Sequence, residues 1–408
     1  MTETAKEMHP IIFKKRSIIR CCVVTLALLS LCFMYLSKNT KWNAIVHAYK
    51  IKKNSTHLAQ FTNLGTERAA ERPGEEILSL KRINIVILSL PRSGSSFLGD
   101  VFNHHPRVLY LFEPLHSLQL NISQNSLFEF DFSSAFYRSS AFKFLEGAMF
   151  CNFSGGNFAK NIFVKDRYRS LALTSPPFCV KNETSLVCNK VNAHELEATC
   201  KNNYSVVTMK ILTPRIPIVH GNRQLLPSCS SSHSSECRII HLVRDPRAVV
   251  DSMIRLKFFR RRWEPRRQKE WFVEKICRQL EADVTTASLT RNLLGARYKL
   301  IRFEELALHP VSVVNELFRF AGLDLLNSVK IWLLEATHFN GTAQNGIRAA
   351  FRTARDSEKI VSKWRTNMDS STVRMIEKHC GGVMSQLGYK RTGTSLEKQL
   401  NLNISLFD

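Results

Sequence analysis

The sequence predicts an α/β fold, a parallel sheet flanked by helices, preceded by a single N-terminal transmembrane helix and a stem. Three observations predict it. Short apolar, β-branched runs recur along the chain, each followed by a stretch with helical spacing. A sixteen-residue segment without a charge, residues 21–36, follows Lys14, Lys15, Arg16 and Arg20. Between that segment and the first strand-like run the sequence is polar and has no sustained apolar period.

Taken in order, residues 1–16 read as a cytoplasmic tail and 17–37 as a signal anchor, because flanking basic residues stay on the cytoplasmic side. A cleaved signal peptide is the competing reading, since the apolar run is short, but no clear small-x-small cleavage site follows Tyr35 and Leu36. Everything beyond about Lys38 is then expected in the lumen. Residues 38–80, with Pro73-Gly74 followed by Glu75-Glu76, read as a stem. The folded body is expected over 81–392, with 393–408 a C-terminal tail; at roughly 310 residues it is large for one α/β domain unless loops are inserted. No internal repeat is visible.

Cysteines and sequons agree with a luminal body. Three of the eleven Cys lie in the anchor, and the remaining eight, an even number, are consistent with disulfides, though spacing leaves both free thiols and the pairing open. No tight Cys/His grouping suggests zinc. Seven Asn-x-Ser/Thr triplets begin at Asn54, Asn121, Asn152, Asn182, Asn203, Asn340 and Asn403. The formal charge of +24 calls for an anionic partner, which by charge alone is nucleic acid, a lipid surface, a nucleotide or an acidic polysaccharide. The anchor and sequons disfavour nucleic acid.

Buried strands are expected at 83–90, 205–211, 238–243 and 298–303. In parallel sheets ligands bind where strand ends give way to loops and helix N-termini, so chemistry is expected just after these runs. After the first comes Pro91-Arg92-Ser93-Gly94-Ser95-Ser96-Phe97, then helical spacing through Leu98, Val101 and Phe102. Small residues let the backbone approach an anion, and the helix N-terminus adds favourable partial charge. The sheet is thus P-loop-like. Against a Walker A loop, however, Ser89 replaces the first Gly and Ser95 the Lys, which disfavours a nucleotide triphosphatase or kinase. An ordinary Ser/Gly turn is the bland alternative.

After the third run comes Arg244-Asp245-Pro246-Arg247-Ala248-Val249-Val250-Asp251-Ser252, with Pro suited to the first helical position. The pair LSLPRSGSSFL and HLVRDPRAVVDS resembles the 5′-phosphosulfate and 3′-phosphate binding motifs of Golgi carbohydrate sulfotransferases, nearest to the branch that sulfates the 6-hydroxyl of galactose, N-acetylgalactosamine or N-acetylglucosamine. Further likeness lies in FNHHPRVLYLFEPLHSL, LIRFEELALHP, TARDSEKIVSKWR and LGYK. It spans roughly 81–391, with 118–203 and 257–269 poorly matched.

By that resemblance the co-substrate is 3′-phosphoadenosine 5′-phosphosulfate; no residue cluster in the sequence calls for a metal. Pro91, Arg92, Ser93, Gly94, Ser95, Ser96 and Phe97 are implied at its phosphosulfate, and Arg244, Arg247 and Ser252 at its 3′-phosphate. Arg offers a fork of donors matched to phosphate. Glu113, one helix and one strand after the loop, matches a family Glu-Pro segment and is implied as the general base, against a plain salt-bridged carboxylate; an effective base needs a raised pKa. Arg92 is expected to hold the phosphosulfate bridge and neutralise charge on the leaving phosphate, and Lys210, which matches a family Lys, is implied at the sulfuryl group, with a solvated edge charge the alternative. Arg352, Arg355, Lys363, Trp364 and Arg365 are expected to close over nucleotide or glycan, or else to decorate a surface helix. The implied function is transfer of a sulfuryl group to the 6-hydroxyl of a sugar in a keratan- or chondroitin-type chain, by a single-pass type II protein of the Golgi membrane. A catalytically silent glycan- or nucleotide-binding relative is the alternative. Homo-oligomerisation, the acceptor sugar and the sequons used are left open.

Overall fold

The computed structural model describes residues 82–122, 127, 130–154, 167–182, 185–219, 222–223, 229, 236–256, 265–338 and 356–408. The expected anchor and stem, the segment 257–264, and Arg352 and Arg355 lie outside the described residues. Among the described residues no helix is long and apolar enough to cross a membrane. The short segment 181–187 separates from the large unit, and the account below concerns the latter.

Its centre is a five-stranded sheet of β1 (Ile83–Ser89), β2 (Val108–Phe112), β3 (Val206–Leu212), β4 (Glu236–Val243) and β5 (Tyr298–Arg302). All neighbours are parallel, in the order β2-β3-β1-β4-β5. The four strands expected from sequence all form, with ends displaced by one or two residues. They read as continuous apolar runs because inner parallel strands are covered on both faces; residues 85–87 of β1 have no exposure. From β1 the chain builds β2 and β3 on one side, then β4 and β5 on the other. The reversal lies at β1, so the loops leaving β1, β3 and β4 meet at one crevice.

Helix α1 (Ser95–Asn103) follows β1, and α2 (Pro114–Ile122) follows β2; α3 (Ala135–Met149) and α4 (Ala193–Asn203) precede β3. Beyond β4 come α5 (Pro246–Arg255) and the long α6 (Pro265–Leu294); beyond β5 come α7 (Phe303–Leu308), α8 (Pro310–Phe320) and α9 (Asn327–Thr337). The C-terminal part holds α10 (Ser357–Ser362), α11 (Trp364–Asn367), α12 (Ser370–Gln386) and α13 (Leu396–Leu400). The start of α5 is as expected: Asp245 caps it, accepting from the Arg247 N–H at 2.9 Å, with Pro246 at the first turn.

Two apolar clusters hold these layers. One packs Phe97, Leu98 and Phe102 of α1 and Phe318 of α8 against the alternate sheet positions Ile85, Ile87, Ile240 and Leu242. Alternation along a strand puts such residues on one face. The other gathers Val249 and Met253 of α5, Phe272 and Ile276 of α6, and Ile376 and Met384 of α12. Within it Cys277–Cys380 joins α6 to α12. The other described cysteines pair as Cys151–Cys200, Cys179–Cys188 and Cys229–Cys237, a pairing that spacing left open.

Residues 393–408, expected as a tail, fold onto the body. The Arg365 guanidinium donates to the carbonyls of Lys398, Gln399, Asn401 and Ile404 at 2.6–2.9 Å. Leu406 joins the second cluster. These four guanidinium hydrogen bonds gather carbonyls from one stretch of chain, so this arginine organises the C-terminal loop.

Candidate active site

At the C-terminal end of β1 the chain turns sharply. Arg92 takes a positive φ of 70° and Gly94, the N-cap of α1, a φ of 90°. Glycine is required at the second position for a further reason: a Cβ there would lie 2.2 Å from Cδ2 of Phe303. Ser93 and Ser95 are buried, and the first N–H groups of α1 have no intrahelical partner, as at any helix start. A non-glycine residue held in the left-handed region costs of order 1 kcal/mol or more and persists only where neighbours over-determine it.

Here the neighbour is the second motif. The Arg92 Nε donates to Ser252 Oγ at 3.0 Å, and Arg244 Nη1 donates to the Arg92 carbonyl at 2.9 Å. Residues some 150 positions apart are thereby locked into one surface. Arg244 also donates to the Ile360 carbonyl at 3.2 Å and sits 4.5 Å from the centroid of the Phe303 ring. Its Nε is buried with no partner, and among the described residues no carboxylate forms an ion pair with it. Burial pushes this guanidinium's pKa down, against the more distant charges of Glu304 and Asp245. A buried cation served mainly by neutral carbonyls favours an arriving anion.

The second half of the crevice lies after β2 and β3. Lys210 is paired in register with Ile87 of β1 and Phe112 of β2, so it stands on an inner strand and is 2% exposed. The reading as a solvated edge charge is therefore corrected. Its Nζ bonds Glu113 Oε1, contacts Ser96 Oγ of the phosphate loop at 3.4 Å, and lies 4.4 Å from the Phe112 ring centroid. Glu113 follows directly from β2 at a positive φ of 42°. Its other oxygen, Oε2, accepts from Arg215 Nη1 at 2.5 Å. Burial pushes the Glu113 carboxyl up, but Lys210, Arg215 and the hydrogen bond from Lys210 outweigh it and hold the group at about 2. The raised value expected of a base is absent in this ion-paired state.

The family description "Sulfotransferase domain" matches residues 82–388, well over half of the chain. The chain belongs to the sulfotransferase domain family. It is 29% identical over 356 residues to carbohydrate sulfotransferase 5 of Mus musculus, covering 80% of this chain and 86% of that protein. To carbohydrate sulfotransferase 6 of Homo sapiens it is 29% identical over 355 residues, covering 80% and 85%. The resemblance carried by the two motifs is borne out. Among solved structures, a mouse sulfotransferase complexed with PAP superposes with a TM-score of 0.38 at 14% identity, covering 76% of this chain and 89% of that one. The sulfotransferase domain of a Synechococcus PCC 7002 olefin synthase gives 0.36 at 17%, covering 74% and 96%. Superpositions this loose carry no residue-by-residue correspondence.

In this sulfotransferase the crevice gathers Arg92, Ser96, Glu113, Lys210, Arg244 and Ser252, but not every expected residue. Arg247 has no exposure: its guanidinium is bonded to Asp245 at 2.7–3.2 Å, to Glu377 at 2.8 Å and to the Lys390 carbonyl at 3.0 Å, and it stacks 4.3 Å from the Trp364 ring. It thus has two carboxylates of its own, whereas Arg244 has none, and it ties the cap of α5 to α12. Trp364 and Arg365, expected to close over ligand, are buried in the same region. Arg215 was not singled out in the sequence, where one more basic residue among 58 carries no mark. Phe303, which seats both Gly94 and Arg244, reads only as the end of a strand.

Proposed function

We propose that the chain transfers a sulfuryl group from 3′-phosphoadenosine 5′-phosphosulfate to the 6-hydroxyl of a sugar in a keratan- or chondroitin-type glycan. The observation that carries this reading is Arg244, a buried guanidinium with an unpartnered Nε, interlocked with the loop that begins α1. Those residues fit a donor with two separated anionic groups: Arg92, the α1 N-terminus and Ser96 toward the phosphosulfate, Arg244 and Ser252 toward the 3′-phosphate. The donor supplies the activated sulfuryl group. Arg247 supports this surface by fixing the start of α5.

Glu113 accepts the proton of the attacking hydroxyl, and Lys210, within reach of both Glu113 and Ser96, supplies positive charge where negative charge grows on the transferring group. The two cations keep Glu113 ionised throughout the physiological range, at the cost of a lower proton affinity. A carbohydrate acceptor is supported by the similarity to carbohydrate sulfotransferases given above, and the 6-hydroxyl by the motif resemblance. Four disulfides, the sequons and the basic-flanked apolar run 21–36 support a luminal body on a single-pass Golgi anchor.

The test is sulfate transfer by the full chain from labelled donor to desulfated keratan, desulfated chondroitin and N-acetylglucosamine-terminated acceptors, beside Arg92→Ala and Arg244→Ala. Transfer to one acceptor, lost in both variants, names the substrate. Donor binding without transfer points to the silent binding relative, and absence of donor binding overturns the reading.

A further inference from the structure

Arg215 belongs to the reaction in a way the two donor motifs do not announce. It lies in the short 3-10 turn Thr213–Arg215 that follows β3, and it is 6% exposed. Three contacts fix it. Its Nη1 donates to Glu113 Oε2 at 2.5 Å, its Nε donates to Gln119 Oε1 of α2 at 2.9 Å, and its carbonyl accepts from the Tyr137 hydroxyl of α3 at 2.7 Å. The turn is anchored at its other end as well, where the Thr213 hydroxyl bonds Asp283 Oδ2 of α6.

Glu113 therefore has two cationic partners of different character. Lys210 is a single point charge shared between the carboxylate and a hydroxyl of the phosphate loop. Arg215 is a planar fork whose backbone and Nε are both held by other elements, so it has little freedom to leave Oε2. Glu113 itself sits at a positive φ of 42°, a conformation that a non-glycine residue keeps only when its surroundings hold it.

We propose that Arg215 is a positioning residue for sulfuryl transfer: it holds Glu113 Oε2 and so aims Oε1, the oxygen shared with Lys210, at the acceptor hydroxyl. This rests on the reading of Glu113 as the base. Arg215 acts through that carboxylate and needs no contact with donor or acceptor. Its charge, with that of Lys210, also outweighs the burial that would otherwise push the Glu113 carboxyl up.

The experiment compares Arg215→Met, Arg215→Lys, Glu113→Gln and the Glu113→Gln/Arg215→Met double variant in the full chain. It reads kcat, donor KM, the pH profile of kcat/KM, and binding of adenosine 3′,5′-bisphosphate. Arg215→Met is expected to lower kcat by about 100-fold, the scale of a misaimed reacting group, with donor KM and bisphosphate binding within about threefold of the parent. Its acid limb moves to higher pH, because one cation opposing protonation of Glu113 is gone. Arg215→Lys, which keeps the charge but loses the fork, is expected at about a tenfold loss. The double variant is no slower than Glu113→Gln, since both changes remove one function. Parental kcat and acid limb in Arg215→Met, or a loss that adds in full to that of Glu113→Gln, overturns the proposal. If Arg215→Met does not fold, Arg215→Lys decides alone, and parental kcat with an unmoved limb overturns it. Full activity in Glu113→Gln overturns the base reading itself, an outcome distinct from a dead Glu113→Gln beside an unaffected Arg215→Met.

Discussion

Replacing Gly94 by alanine tests how the donor loop is seated. The added Cβ would lie 2.2 Å from Cδ2 and 2.5 Å from Cε2 of Phe303. Carbon atoms pack at about 3.5–4.0 Å, so ring or loop must give by more than about 1 Å. The φ of 90° adds the cost of a left-handed conformation, about 1–2 kcal/mol for a residue with a Cβ, and forced repacking adds about 1–3 kcal/mol. Together they predict about 2–5 kcal/mol of lost stability, which at about 2 °C per kcal/mol for a body of this size lowers Tm by about 4–10 °C. Donor affinity falls as well. The Phe303 ring also lies 4.5 Å from the Arg244 guanidinium, so moving it disturbs both halves of the donor surface, and a loss of at least about tenfold is expected. The assays are a thermal melt and calorimetric binding of adenosine 3′,5′-bisphosphate, repeated in Phe303→Leu and in the double variant. If the clash is the cause, the double variant loses less than the two single variants summed. An additive result, or a Gly94→Ala protein with parental Tm and affinity, refutes the reasoning.

Lys210→Met removes one of the two cations that hold Glu113 at about 2, so burial, which pushes that carboxyl up, is less opposed. An acid limb absent from the parent's measurable range is expected to enter the kcat/KM profile, together with a fall in kcat. Arg244→Ala and Arg247→Ala should separate cleanly: the first weakens bisphosphate binding by calorimetry. The second, which strands the buried Asp245 and Glu377 carboxylates, is expected to cost about 3–5 kcal/mol in denaturant unfolding. Removing the Cys277–Cys380 bridge as a double serine variant opens a loop of 103 residues and should cost about 4–5 kcal/mol by the same measurement, more than opening the 8-residue separation of Cys229 and Cys237.

The sequence by itself determined the sheet and the donor loops. Runs such as residues 83–90 are mostly apolar, short and rich in β-branched residues, which together mark a strand covered on both faces. The loop from Pro91 to Phe97 and the Arg244-Asp245-Pro246 start of α5 were legible because their chemistry is local: small residues, a cap and a proline act within one turn of chain. Cysteine parity pointed to disulfides for the same reason, since a count needs no geometry.

Tertiary structure decided what each charge does. Arg244 and Arg247 are three residues apart and identical in kind, yet one faces neutral carbonyls and a ring while the other is held by Asp245 and Glu377, 130 residues away in the second case. Lys210 became part of the crevice because β3 lies between β1 and β2, a strand order that no local pattern encodes. Arg215 reaches Glu113 across 102 residues. A side chain's chemistry follows from its composition, but its partners, burial and pKa follow from which distant elements the fold brings against it.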